Sequence, residues 1–337
     1  DITLSTVTAG SPVATNSGPT SGSDIFDTGV LTITGTSSFT TSVSDAVITL
    51  DSANVFTGAV ALNTTGSSGN ATVVNGTTAL DIAASSVGGN LTLTSGNEDG
   101  ITDSGTVTVG GNLSATTDAN NGEINMGTLA VDGTFALNTH GSGAATVVND
   151  AGINLVASTV GGALSVTATT EDITDSGTLT IAGTSLFITG ASGSNIILDS
   201  SANAFSGSVT LKADSGDETF GNITFVDSGA VDLDSSASAD GDLYINALAD
   251  GAVGGNLSVI ANGNITQNVA LAVTGTTTLE AGSSNNITLG NTSNNFQDAV
   301  QITSGNNIVL VDAGAIDLGA STVSGTYAVT ATSGGDI

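Results

Sequence analysis

Residues 86–117 read SVGGNLTLTSGNEDGITDSGTVTVGGNLSATT. The stretch says nearly the same thing twice: GGNLTLTS at 88–95 returns as GGNLSATT at 110–117, with TVTVGG between the two. Within it, apolar and hydroxyl side chains alternate, as in Leu91-Thr92-Leu93-Thr94 and Thr106-Val107-Thr108-Val109. A period of two puts one set on each face of an extended strand. Val107 and Val109 are therefore expected inside and the threonines outside, where they favour the strand and stay wet. Each run is short and ends in a cluster of Gly, Asn, Asp or Ser. Gly-Gly-Asn then reads as a corner, where glycine's tolerance of positive φ lets the chain turn.

The same writing continues along the chain. ATVVNGTTALDIAASSVGGNLTLTS at 71–95 matches ATVVNDAGINLVASTVGGALSVTAT at 145–169, and ITDSGTVTVGG at 101–111 matches ITDSGTLTIAG at 173–183. A second motif punctuates the first: ITLDSANVFTGAVAL (48–62), IILDSSANAFSGSVTL (196–211) and ITLGNTSNNFQDAVQI (287–302). Each has a strand, a polar Asn-bearing bend, one Phe, then another strand, so Phe56, Phe205 and Phe296 hold equivalent places. Self-similarity of this kind marks a repeat architecture. Many short strands with polar turns suit antiparallel sandwiches or barrels, and also parallel solenoids. Unbroken repetition, a repeat of about 72 residues divisible into about four coils of 18, and few tight hairpin signals favour the solenoid. Asn75-Gly76 and Asp132-Gly133 are the best hairpin signals present. The expectation is an all-β parallel β-helix with coils of roughly 18–24 residues. It runs as one continuous array over 1–337, with related blocks at about 44–117, 118–190, 191–282 and 283–337. Eighteen-residue coils would number roughly 17 to 18 and rise on the order of 80 Å at the spacing of paired strands. Asparagines at equivalent corners are expected to stack into side-chain ladders.

Composition sets the class of partner. The 337 residues carry 31 Asp and Glu against one basic residue, Lys212, for a net charge of −30. Phosphate backbones and anionic membranes are bound by Lys and Arg, so nucleic acid and membrane surfaces are excluded as partners. No run of about 18 apolar residues suggests membrane insertion. With no Cys, disulfides, thiolate chemistry and most structural zinc sites are excluded. Closely spaced carboxylates repel within the Debye length of about 8 Å. That suits an exterior, saline or calcium-containing setting. The chain opens DITLST and stops TSGGDI inside the same recurring kind of unit. It therefore reads as a slice of a longer repetitive polypeptide, or as a subunit whose ends pair with neighbours.

The segments GGNLTLTS, VGGALSVTA, DSGTVTVGGNLS and NVFTGAVAL resemble the repeats of filamentous-haemagglutinin-type exoproteins and large bacterial adhesins. That resemblance covers essentially the whole chain. It implies a secreted, right-handed β-helix rod on the cell surface of a prokaryote, exported by a two-partner or autotransporter route. Its partners would be copies of itself or adjoining repeats, and cell-surface glycans. No secretion domain is recognisable, and the scarcity of Lys and Arg departs from many members.

Chemistry is sparse. His140, the one histidine, sits in the turn LNTHGSG without the partners a metal or triad needs. Lys212 reads as a surface residue at a turn beside Asp214 and Asp217. Glu98, Asp99 and Asp103 cluster, as do Glu171, Asp172 and Asp175 at the matching place, and duplication argues for an architectural role. A glycosidase would need two carboxylates of different pKa, and a lyase acting on acidic sugars would need Arg or Lys. No catalytic residue and no cofactor is assigned. Calcium is the one candidate ion, because oxygen-rich turns can supply its ligands: Glu98 and Asp99, Asp214 and Asp217, Asp240 and Asp242. Asn-x-Ser/Thr sequons recur, for instance at Asn90 and Asn112. The leading function is a non-catalytic structural rod. Recognition of glycans or ice by rows of threonine, and polysaccharide cleavage, are the alternatives.

Overall fold

The computed structural model describes residues 1–18, 23–118, 121–213, 221–234, 242–245, 252–332 and 334–337. Among the described residues there are strands and turns and no helix, and the strand pairings are parallel. The protein is an all-β solenoid, as the alternating runs require. Its chain divides into two compact units, Asp1–Val166 and Thr167–Ile337.

In the first unit, Ile48, Ala71, Leu91, Leu113 and Phe135 stack in register on one sheet. One coil therefore takes 20 to 23 residues. Each coil places a five-residue strand, such as Leu91–Ser95 or Leu113–Thr117, on this sheet. The second sheet receives two three-residue strands joined at a bend. Leu80–Ile82 and Ser85–Val87 pair with Ile101–Asp103 and Val107–Val109, which pair in turn with Ile124–Val131. Alternation sorts the side chains as expected. Leu91, Leu93, Val107 and Val109 are fully buried, while Thr92 and Thr94 are half-buried and Thr108 is exposed. Each inward Leu, Val or Ile contributes about 1.5–3 kcal/mol. Phenylalanines are the largest of the fully buried side chains. Phe39 and Phe56 meet edge to face with ring centres 6.1 Å apart, an arrangement that adds to their burial.

The repeat does not divide into four coils. Between Val60–Thr65 and its copy Thr134–Asn138 the chain traverses seven strand-bearing sides, alternating between the sheets, which is three and a half coils. An odd number of sides sends each copy to the other sheet. Val60–Thr65 pairs with Ser37–Ser44 on the second sheet, whereas Thr134–Asn138 pairs with Leu113–Thr117 on the first. Ala71–Asn75 lies on the first sheet and its copy Ala145–Asn149 on the second. The extra side arises where two long strands follow one another, Val60–Thr65 then Ala71–Asn75, and Thr134–Asn138 then Ala145–Asn149. The estimate of 18-residue coils, and with it 17 to 18 of them, is thus too small a coil and too many.

The second unit is built from the same coil. Leu257, Thr277 and Val300 stack on one sheet, and Ile265, Ile287, Ile308 and Tyr327 on the other. Longer steps separate Ile196 from its partner Ile223 and Ile223 from its partner Leu257. Phe205 packs between Phe187 and Phe225, with ring centres 6.2 and 5.2 Å away. Phe56, Phe205 and Phe296, the equivalent phenylalanines of the second motif, are all buried.

The corner glycines act by closeness rather than by unusual dihedral angles. Positive φ occurs at Gly66, Gly100, Gly141, Gly193, Gly282 and Gly334, not at the Gly-Gly-Asn corners. Along this corner Gly69, Gly89, Gly111 and Gly133 stack coil on coil, the N–H groups of Gly89, Gly111 and Gly133 each donating to the glycine carbonyl of the coil before at 3.0–3.1 Å. A Cβ on Gly111 would lie 2.8 Å from the Gly89 carbonyl carbon, and one on Gly133 2.6 Å from that of Gly111. Main chains meet there with no room for a side chain.

Candidate functional site

The asparagine of the second motif's bend is buried, not a surface turn residue. Asn54, Asn203 and Asn294 have no exposed area. The Oδ1 of each accepts the main-chain N–H of a leucine in the preceding coil: Leu31 at 2.7 Å, Leu179 at 2.9 Å and Leu271 at 2.9 Å. The Nδ2 of each donates to a side chain ending the strand below: Asp27 and Asp175 at 2.7 Å, Gln267 at 2.9 Å. The other oxygen of Asp27 takes the N–H of Asp51, and that of Asp175 the N–H of Asp199. At this bend the strand leaves the ladder, and these side chains satisfy the main-chain groups that lose their partners.

A second buried series ends the long strands. Asn75, Asn149, Asp227 and Asp312 each accept the N–H of a residue in the coil below: Phe56, Val131, Phe205 and Phe296, at 2.7–3.1 Å. Asp227 is one of the two acidic members. Burial pushes its carboxyl above the usual carboxylate range, against the opposing pull of N–H groups from Phe205, Gly229 and Ser228.

That direction, together with the composition, sets a pH dependence. A raised folded-state pKa means the native state holds the proton more tightly than the unfolded chain. Asp227 therefore contributes stability that is full below the ordinary carboxylate pKa and is lost as pH rises through the folded value. With one Lys and one His against 31 acids, ion pairing does not hold this fold, and repulsion among the carboxylates opposes it at low salt. Calorimetry at low ionic strength is expected to show the melting temperature rising by several degrees, roughly, between pH 7 and pH 4.5. Adding 1 M salt at pH 7 is expected to raise the melting temperature separately, by screening carboxylate repulsion and not by relieving the burial of Asp227. A melting temperature that falls over this window would contradict the account.

Among the described residues, the sequence candidates do not converge on a chemical centre. Glu98 and Asp99 are exposed in a turn shaped by Gly100 at φ +70°, with the Asp99 N–H donating to Asn97 Oδ1 at 2.8 Å. Asp103 takes the N–H groups of Gly127 and Thr128 in the next coil at 2.8 and 2.7 Å. Asp172 takes that of Asn195 at 2.7 Å. These duplicated carboxylates are coil staples. Asp214, Asp217 and Asp240 lie outside the described residues, and Asp242 begins the strand Asp242–Ile245. Among the described residues no three acidic or histidine side chains gather around one point. His140 is exposed, its Nδ1 against the Thr117 carbonyl. Lys212 lies within the strand Val209–Ala213 and not at a turn after it.

The corner asparagines form columns, with a geometry different from stacked amides. Asn70 Oδ1 accepts the N–H of Asn90, Asn90 that of Asn112, and Asn112 that of Thr134, at 2.7–2.9 Å. Asn195, Asn222 and Asn256 repeat the pattern in the second unit, ending on Thr276. Each side chain thus grips the main chain of the following coil. An amide-to-amide bond joins Asn307 to Asn286. Sequence reading caught the columns but missed the buried bends, since a polar run looks the same whether it faces water or the core.

No curated protein and no solved structure shows significant similarity to the chain. A family model described as repeats of unknown function (DUF5649) matches residues 1–63, 68–126, 142–212, 244–303 and 305–337. Those matches span most of the coils described above, so the chain belongs to this family of repeats.

Proposed function

We propose that the protein is a non-catalytic structural rod segment of an extracellular filament or surface adhesin of a prokaryote. It works through copies of itself or adjoining repeats and needs no cofactor. The observation that carries the reading is the division of labour in the coil. Inward positions hold the aliphatic and phenylalanine side chains. Outward positions on the strands hold mostly small uncharged groups, such as the registered rows Thr72–Thr92–Ser114 and Val74–Thr94–Thr116, with Asp81, Lys212 and Glu280 among the exceptions. The carboxylates with a described role staple coils together. Such a surface suits a spacer that resists sideways aggregation through its charge. No helix among the described residues is long and apolar enough to cross a membrane.

The rows of hydroxyls also support a second reading, a module that binds cell-surface glycans through its outer faces. Negative-stain microscopy over a series of salt and calcium concentrations tests the first reading. Elongated rods that lengthen or bundle as salt or calcium rises are the expected result. Compact particles of unchanging size would overturn the rod. Retention of the same particles on a glycan array would favour the second reading, and release of sugar from polysaccharides would replace both with an enzyme.

A further inference from the structure

Most of the recurring Asn-x-Ser/Thr sequons share one geometry. In Asn70-Ala71-Thr72, Asn90-Leu91-Thr92 and Asn112-Leu113-Ser114 the asparagine is the corner, the middle residue points into the core, and the hydroxyl residue faces outward. The same placement holds at Asn222 and Asn256 in the second unit. The Oδ1 of each is held by the N–H of the next coil, which fixes the amide plane. At the exposed Asn90, Asn112 and Asn256 no described residue engages Nδ2. The amide nitrogen therefore faces solvent while its oxygen is occupied by the fold.

One sequon is built the other way. Asn75-Gly76-Thr77 satisfies the same pattern, yet Asn75 is fully buried. Its Nδ2 donates to the carbonyls of Phe56, Thr78 and Ala79 and to the Thr78 hydroxyl at 2.7–3.2 Å. A substituent on that nitrogen has nowhere to go.

We propose that the corner columns are N-glycosylation sites, Asn90 and Asn112 foremost, and that Asn75 is not. A sequon glycan belongs on an exposed surface of an exported protein. The co-substrate is a sugar activated as a nucleotide or lipid diphosphate. Its C1–O bond to the diphosphate breaks, C1 bonds to Nδ2, the diphosphate leaves, and the Nδ2 proton passes to a base of the transferase. Because Leu91 and Leu113 are buried in the coil, transfer takes place on the chain before it winds. The fold then retains sugars at the corners and rejects a chain modified at Asn75.

The test is glycopeptide mass mapping of the folded protein isolated from the cells that produce it. Digestion uses a protease cutting at Asp, since one Lys gives trypsin little purchase. Sugar on Asn90 or Asn112 with none on Asn75 is expected. Bare asparagine at every corner sequon would overturn the proposal, and so would a sugar on Asn75 in folded material. Thr92→Val and Ser114→Ala provide a second arm. Each removes the outward hydroxyl of a sequon and leaves the Asn ladder intact, so loss of the sugar from Asn90 or Asn112 with an unchanged melting temperature is expected. Persistence of the sugar in these variants would sink the assignment. These outcomes do not depend on rod formation, so the microscopy and the mass mapping fail separately.

Discussion

Asn75→Leu is expected to lower stability by about 3–5 kcal/mol, the cost of stranding several buried polar groups at once. Leucine fits the apolar surroundings and is larger in hydrophobic surface, so a view based on composition alone predicts a gain. The geometry predicts the reverse. Phe56 N–H loses the acceptor it has at 2.9 Å, and the carbonyls of Thr78 and Ala79 lose donors at 2.7 and 2.9 Å. The Phe56 N–H does not reach water, because Asn75 and Phe56 are fully buried, while the carbonyls of Thr78 and Ala79 belong to half-buried residues. Asn90→Ala is the control. It also removes an acceptor of a main-chain N–H, that of Asn112 at 2.8 Å, but at an exposed corner where water replaces it. Its cost is expected to stay at or below about 1 kcal/mol. Urea titrations of both variants, with hydrogen exchange at the Phe56 amide, separate the two cases. Equal losses for Asn75→Leu and Asn90→Ala would refute the claim that the buried asparagine bridges coils.

Gly133→Ala is expected to cost about 3 kcal/mol through overpacking. Its new methyl would sit 2.6 Å from the Gly111 carbonyl carbon and 2.5 Å from Asn112 Oδ1. Neither can move without opening the corner, where Gly133 N–H donates to Gly111 at 3.1 Å and Asn112 Oδ1 accepts from Thr134. Gly127→Ala is the comparison, since nothing lies within 4 Å of a Cβ there and its φ is not positive. That exchange is expected to be neutral or to add about 0.4–1 kcal/mol by restricting the unfolded chain. Thermal and urea unfolding of both proteins decide the matter. Were Gly133→Ala as stable as Gly127→Ala, the corners would be flexible turns and not contacts between main chains.

These pairs show where the physics of neighbours ends and that of coils begins. Thr106-Val107-Thr108-Val109 declared its inner and outer faces through alternation alone, and Val107 and Val109 are buried as that alternation requires. The repeats were equally legible, and so was the parallel solenoid. The number of residues per coil was not. The eye divides 72 into equal parts, whereas the chain inserts one extra long strand per repeat, as in Thr134–Asn138 followed by Ala145–Asn149. A single added side exchanges the sheets that successive copies join.

The buried bends were the largest gap in the sequence reading. LDSANVF and LDSSANAF look like surface turns because Asp, Ser and Asn prefer turns. Nothing within seven or eight letters shows that Asn54 meets Asp27, or Asn203 Asp175, across a coil. The architectural reading of the duplicated carboxylates rested on repetition alone: acidity is visible locally, but the N–H groups that use Asp103 and Asp172 come from the next coil.

By itself the sequence determined the strand conformation, the face each side chain takes, and the repetition that makes a coil stack on its like. These follow from a side-chain period of two and from β-branched and hydroxyl residues, which act between immediate neighbours. Only the tertiary structure decided which sheet each copy joins, which asparagines are buried, and why glycine is required at the corners. Those outcomes depend on contacts between residues some twenty positions apart, and the chain makes them only when one coil lies on the next.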